Sequence, residues 1–315
     1  MTPLIVSLPS KQGLFEALGE IPGVEFVQWD LDGPPPRERI DIIVPPYWAS
    51  GSAVLARVGE VETRLLQWQS IGYNAVADHL PAGVPFANAT TVHEASTAEI
   101  AMALTIAAQR GLPDFLRAAD REHWLEVAPF PSLADRRVLL IGYGGVGKAI
   151  EARLAGFEVS VERLARTART DRDLAGVEVP VRGFDELHAA LAAAEIVILG
   201  VPLTAETRHL IDAAALAAMP DGALLVNVAR GPVVDTDALV AELDSGRLRA
   251  ALDVTDPEPL PAGHPLWKCP NLLLTPHVGG DSSAMLPRIA ALIRRQIGHL
   301  QAGEPFENLI DLARD

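Results

Sequence analysis

The sequence predicts an α/β protein made of two doubly wound parallel-sheet domains, and three observations carry that expectation. Short β-branched or apolar runs alternate with Ala/Leu-rich stretches of helical length, the rhythm of βαβ units. Those runs are mostly apolar, as strands covered by helices on both faces are. The 315 residues also suffice for about two domains, each able to bury a core.

Taken in order, Leu4–Ser7 reads as the first strand. The stretch Met1 to Lys11 is too short in apolar residues, and lacks the basic start, to be an export signal. Ile40–Val44 and Arg64–Gln67 continue the first sheet, and Gly33-Pro34-Pro35-Pro36 ahead of them is a stiff surface loop. Tyr47 and Trp48 follow Ile40–Val44, placed either to wall a pocket or to pack in a core. Glu94 to Arg110 carries apolar residues at helical spacing with no Pro or Gly inside, and Gly111-Leu112-Pro113 stops it. A helix of that length can bridge two domains. Val138–Ile141, Ile196–Leu199, Ala223–Asn227 and Leu272–Thr275 supply the second sheet, and Ser282 to Ala302 the last helix.

The 41 acidic against 26 basic residues give a formal charge of -15, which repels a phosphate backbone and argues against nucleic acid as a partner. The single cysteine, Cys269, leaves no disulfide framework and no zinc-type cluster, which fits a reducing, cytoplasmic setting. No run approaches the ~18 apolar residues of a membrane span.

Val138–Ile141 runs directly into Gly142-Tyr143-Gly144-Gly145-Val146-Gly147, and a helix reads from Lys148 to Ala155. Strand, glycine turn and helix in that order make a dinucleotide site, with a diphosphate at the helix N-terminus against the backbone of Gly142, Gly144, Gly145, Val146 and Gly147. An NAD site has an acid about 20 residues past the first glycine, at the end of the second strand. Here that strand, near 159–165, runs on into Arg166, Thr167 and Arg169, which suit a 2'-phosphate, so NADP is favoured over NAD. Glu162 takes the acidic role if the strand ends earlier.

Three polar groups follow apolar runs of the second half, where open α/β sheets place ligands. Arg230, after Leu224–Val226, can fork onto a carboxylate and a carbonyl oxygen, or be a surface residue. Glu258 is held between Pro257 and Pro259, either as a rigid partner carboxylate or in a solvated turn. His277 lies in Thr275–Gly280, and histidine is the natural residue type for general acid catalysis of a carbonyl reduction.

The phrases Val201-Pro202-Leu203-Thr204, Asn227-Val228-Ala229-Arg230-Gly231, Asp253-Val254 with Glu258-Pro259-Leu260, His264-Pro265-Leu266-Trp267 and Thr275-Pro276-His277-Val278-Gly279-Gly280, in that order, resemble the signatures of the D-isomer-specific 2-hydroxyacid dehydrogenase family. Ser70-Ile71-Gly72-Tyr73-Asn74 is similar to the family's substrate-carboxylate loop, and Thr97-Ala98-Glu99 to the start of its interdomain helix. The resemblance implies a Rossmann NAD(P) domain, residues 98–285, inserted into a flavodoxin-like substrate domain built from 1–97 and 286–315. It implies hydride transfer to a small 2-oxoacid, with Arg230 on the substrate, His277 exchanging the proton and Glu258 paired to it. Val201, Pro202, Thr207, Val228, Ala229, Asp253, Gly279 and Gly280 would line the cofactor; Ile71, Gly72 and Tyr73, with Tyr47 and Trp48, would meet the substrate. A homodimer is implied as well.

Thr97 departs from an aliphatic norm, Ser70 from a common glycine, and Gly145 from a larger side chain. These bear on substrate fit and leave the three polar groups intact. Alternatives are an NAD(H)-sensing binding protein of the corepressor type, or a change of substrate to formate, phosphite or a phosphorylated hydroxyacid. Formate-type relatives carry Gln where this chain has Glu258.

Overall fold

The computed structural model describes residues 2–47, 52–74, 76, 78–126 and 129–312. The chain divides into two compact units, Met1–His93 with Ser282–Asp315, and Glu94–Asp281. The divisions fall slightly ahead of the expected 97/98 and 285/286, because the helix that opens the second unit starts at Glu94 and packs on that unit's own sheet.

The first unit begins with β1 (Leu4–Leu8), α1 (Leu14–Leu18), β2 (Val24–Gln28), β3 (Ile42–Ile43), α2 (Ser52–Ala56), β4 (Leu65–Gln67) and β5 (Phe86–Ala87). Neighbouring strand residues bury into opposite layers: Ile42 and Leu65 join one apolar cluster, Ile43 and Leu66 the other. A sheet buried on both faces needs apolar residues at consecutive positions, which is why these strands read as unbroken runs.

The second unit contains α3 (Glu94–Gln109), α4 (Leu112–Ala119), β6 (Arg137–Ile141), α5 (Gly145–Leu154), β7 (Ser160–Leu164), β8 (Arg169–Arg172), β9 (Glu178–Val181), α6 (Leu187–Ala193), β10 (Ile196–Leu199), α7 (Ala213–Ala218), β11 (Leu224–Asn227), α8 (Thr236–Asp244), β12 (Arg249–Leu252) and β13 (Leu272–Leu274). Its parallel sheet has the order β13-β12-β11-β10-β6-β7. Val138, Leu140, Ile196, Ile198 and Val226 pack under α3 and α5, whereas Leu139, Ile141, Val197, Leu199 and Leu225 pack against α6, α7 and α8.

Between β7 and α6 the chain forms an antiparallel hairpin of β8 and β9 where a βαβ unit would carry a helix. Arg169-Thr170-Asp171-Arg172 has no apolar face for a helix to bury, and the Asp173 carboxylate accepts the amides of Ala175 and Val177 to close the turn. A parallel bridge from Leu164 to Arg182 brings the end of the hairpin beside β7. The hairpin thereby stands in the third place of a 3-2-1-4-5-6 dinucleotide-binding order, which β13 extends by a seventh strand.

The chain returns to the first unit with α9 (Met285–Ala302) and β14 (Leu309–Ile310). Ile289, Ile293 and Ile297 of α9 cover the Val6, Ile42 and Leu65 face. The sheet runs β2-β1-β3-β4-β5, all parallel, with β14 antiparallel at the edge beside β5. Its parallel part has the flavodoxin-like order. No helix among the described residues is long and apolar enough to cross a membrane, and none of their His, Cys, Asp and Glu side chains group to hold a metal ion.

Candidate active site

The glycine turn leaves the carboxyl end of β6 with Gly142 at φ +103, and α5 begins on Gly145, inside the turn. Gly144 is the N-cap and brings no side chain to the helix end, so the first-turn amides and the positive end of the dipole are offered to an anion. A methyl group on Gly147 would lie 2.0 Å from the Gly142 carbonyl oxygen, which is how closely helix and turn approach. Gly147→Ala is therefore expected to lower Tm by several degrees, an overlap of about 1–3 kcal/mol, and to abolish dinucleotide binding. Thermal unfolding with and without cofactor measures both.

Below the turn, Tyr143 is buried; its hydroxyl donates to Glu151, which also accepts from Arg163. Burial first, then the Glu151 carboxylate, pushes the Tyr143 hydroxyl well above its ordinary range, so it stays a donor.

Arg230, Glu258 and His277 lie on loops following β11, β12 and β13 of the second unit. The His277 loop is fixed by Asp253, which is 2% exposed. Its carbonyl accepts the His277 amide at 2.7 Å, and its carboxylate accepts Thr275 Oγ1 at 2.6 Å, Val278 N at 3.0 Å and Gly279 N at 2.8 Å. These bonds hold His277 at φ 56, a left-handed backbone that costs an ordinary residue about 1–2 kcal/mol.

Glu258 Oε1 stands 2.5 Å from His277 Nδ1, and the two side chains are 39% and 35% exposed. Burial alone would raise the Glu258 carboxyl. The His277 hydrogen bond and charge, the Thr255 amide and the Arg230 charge overcome it and hold the carboxyl below the usual range. With Nδ1 turned to this carboxylate, Nε2 is the ring nitrogen left to face a reacting group.

Arg230 is placed by the buried Asn227, whose Oδ1 accepts the Ala229 amide at 3.0 Å and whose Nδ2 donates to the Arg230 carbonyl at 3.0 Å. The next residue, Gly231, packs so tightly on the Glu258 loop that a methyl there would lie 1.9 Å from the Thr255 oxygen. That contact locks the arginine and glutamate loops together.

In the first unit, the carbonyls of Ser70, Ile71 and Gly72 accept from the Ala89 amide, Asn88 Nδ2 and Trp68 Nε1, at 3.0, 3.0 and 3.1 Å. In a trans peptide the following N–H points opposite its carbonyl, so the amides of Ile71, Gly72 and Tyr73 are turned away from those donors.

The sequence profile of "D-isomer specific 2-hydroxyacid dehydrogenase, NAD binding domain" matches residues 102–279. The chain belongs to the D-isomer specific 2-hydroxyacid dehydrogenases. It is 39% identical over 175 residues to a glyoxylate reductase of Thermofilum pendens, covering 55% of this chain and 51% of that protein. It is 32% identical over 260 residues to a glyoxylate reductase of Pyrococcus horikoshii, covering 79% and 76%. A D-isomer specific 2-hydroxyacid dehydrogenase from Xanthobacter autotrophicus Py2, solved in complex with NADPH and MES, superposes with a TM-score of 0.81 at 31% identity, covering 100% of this chain and 99% of that one. The match spans about half the length of the Thermofilum relative.

The remaining expected residues fall in three groups. Val201, Val228, Ala229 and Gly279 are buried at or beyond the carboxyl ends of β10, β11 and β13, with Pro202 and Gly280 beside them. Arg166 and Thr167 are exposed just past β7, Arg166 Nη1 lying 4.0 Å from Glu206.

Others point elsewhere. Arg169 donates to the Tyr143 carbonyl at 3.0 Å and to Asp171 at 2.9 Å, so it braces the hairpin against the turn. Thr207 donates to the Pro202 carbonyl at 2.6 Å and ties its own loop, and Asp253 spends its carboxylate on the His277 loop. Tyr47 packs its ring on His93 at 5.6 Å. Trp48 lies outside the described residues.

The Lys148–Asp171 pair, at 2.8 Å, was not foreseen, nor was Asn227 as the pin of the arginine loop. Lys148 directly after the last glycine was the one visible signal for the first.

Proposed function

We propose that the protein interconverts a small 2-oxoacid and its D-2-hydroxyacid, using NADP(H) in preference to NAD(H). The 2.5 Å contact of His277 Nδ1 with Glu258, close enough to Arg230 for its charge to act on that carboxylate, carries this reading.

When bound, the nicotinamide cofactor supplies or accepts the hydride. The glycine turn, Gly142 to Gly147, holds the diphosphate at the start of α5, and Val201, Pro202, Val228, Ala229, Gly279 and Gly280 line the rest. At the end of β7, Arg166 and Thr167 take the 2'-phosphate. The acid that would favour NAD is missing there: Glu162 sits inside the strand, on the ladder with Leu139, and pairs with Arg182 at 2.8 Å.

Arg230 forks onto the substrate carboxylate and carbonyl oxygen. His277 Nε2 gives the oxygen its proton during reduction and takes it back during oxidation, while Glu258 fixes Nδ1–H and stabilises the imidazolium. Asp253 acts through the backbone of the histidine loop. A cytoplasmic homodimer belongs to the same proposal.

Initial rates of reduction of glyoxylate, hydroxypyruvate, pyruvate and phenylpyruvate, with NADH and NADPH side by side, test it. NADPH is expected to be preferred, and Arg166→Ala to reduce that preference about ten- to a hundredfold, the loss of one charge-assisted hydrogen bond. A clear preference for NADH overturns the cofactor choice. Tight NADPH binding with no turnover of any 2-oxoacid favours the sensing protein instead.

A further inference from the structure

Gly145 is the third residue of the glycine turn and the first of α5. A methyl in place of its hydrogen would come within 2.9 Å of both Glu94 Cγ and Glu94 Oε1, so the Glu94 carboxyl fills the space that a side chain at 145 would take. Glu94 is the first residue of α3 and is half-buried.

We propose that Glu94 sets the affinity for the cofactor by placing a carboxylate at the glycine turn, where it opposes the diphosphate. This rests on the reading of that turn as the dinucleotide site. Two anions near one helix end share a single set of amides and one positive dipole end. Like charges a few ångströms apart at a protein surface, even partly screened, change an equilibrium by about three- to tenfold. The missing side chain at 145 and the acid at 94 are thus one feature: the glycine makes room for the carboxylate, and the carboxylate weakens binding and hastens cofactor release.

Three ligands separate the effect from a structural one: NADPH, ADP, which has the diphosphate alone, and adenosine 2'-monophosphate, which lacks it. Calorimetric Kd values for wild type, Glu94→Gln, Glu94→Ala and Glu94→Asp are compared at low and high salt. Removing the charge is expected to tighten NADPH and ADP about three- to tenfold, with a gain that shrinks in salt and is absent for adenosine 2'-monophosphate. Glu94→Asp, which keeps the charge, stays near wild type. NADPH and ADP bound no more tightly by both Glu94→Gln and Glu94→Ala, or an equal gain with adenosine 2'-monophosphate, overturns the inference. Wild-type binding of NADPH tests the underlying site, and the ratio of variant to wild type tests Glu94.

Discussion

Replacing His277 with Gln is expected to lower kcat for 2-oxoacid reduction by about 10²–10⁴-fold, the usual contribution of a positioned general acid, while Kd for NADPH stays near wild type. Glutamine keeps a hydrogen-bond donor for Glu258 but has no proton to give at neutral pH. The loss cannot be blamed on unfolding. The pair is more than one-third exposed on both sides, and exposed ion pairs contribute only about 0–1 kcal/mol to stability, so Tm should move little. Near-normal turnover would remove His277 from the chemistry.

The same pair fixes the sign of one pH effect. The Glu258 carboxyl is held below its ordinary range, so it stays ionised until pH falls below about 4.3, the usual glutamate value. Any stability it contributes is present above that value and lost as pH falls through its own lower one. The acid limb of the kcat/KM profile that reports Glu258 should accordingly lie below about pH 4.3, and Glu258→Gln should abolish it. An acid limb for this carboxylate above that value contradicts the electrostatics of the site.

Arg230→Lys is expected to cost about 10- to 100-fold in kcat/KM with cofactor affinity retained. Lysine keeps the charge but not the planar fork, and one charge-assisted hydrogen bond to a carboxylate or developing oxyanion contributes about 1.5–3 kcal/mol. Comparing Lys with Gln at this position separates geometry from charge. If Lys is as active as Arg and only Gln fails, Arg230 acts as a point charge; if both are as active as wild type, it does not bind substrate.

The parts legible in the sequence share one physical property. β6, β10 and β11 are buried on both faces and β13 is half-buried on both, so each shows as a continuous apolar run, and the glycine turn sits where β6 ends. Two-residue strands such as β3 and β5 carry too little pattern to delimit. In the β8–β9 hairpin, β8 is charged and mostly exposed, shaped by hydrogen bonds and ion pairs, and only Val179 and Val181 of β9 are buried, too short a pattern to read.

Within the site, Arg230, Glu258 and His277 could be named from their phrases. Their meeting could not, because it depends on backbone contacts far apart in sequence: Gly231 on Thr255, and Asp253 gripping residues 275–279. Arg169 shows the converse. Its residue type suited a phosphate, but the carboxylate two residues on at Asp171 holds it.

The most direct measurement of the central claim follows the hydride itself. Reduction of pyruvate or hydroxypyruvate with NADPH deuterated at the transferring position of the nicotinamide, followed by chiral analysis of the product, should place deuterium at C2 of the D-2-hydroxyacid. An L-product, or a product without the label, would contradict the account.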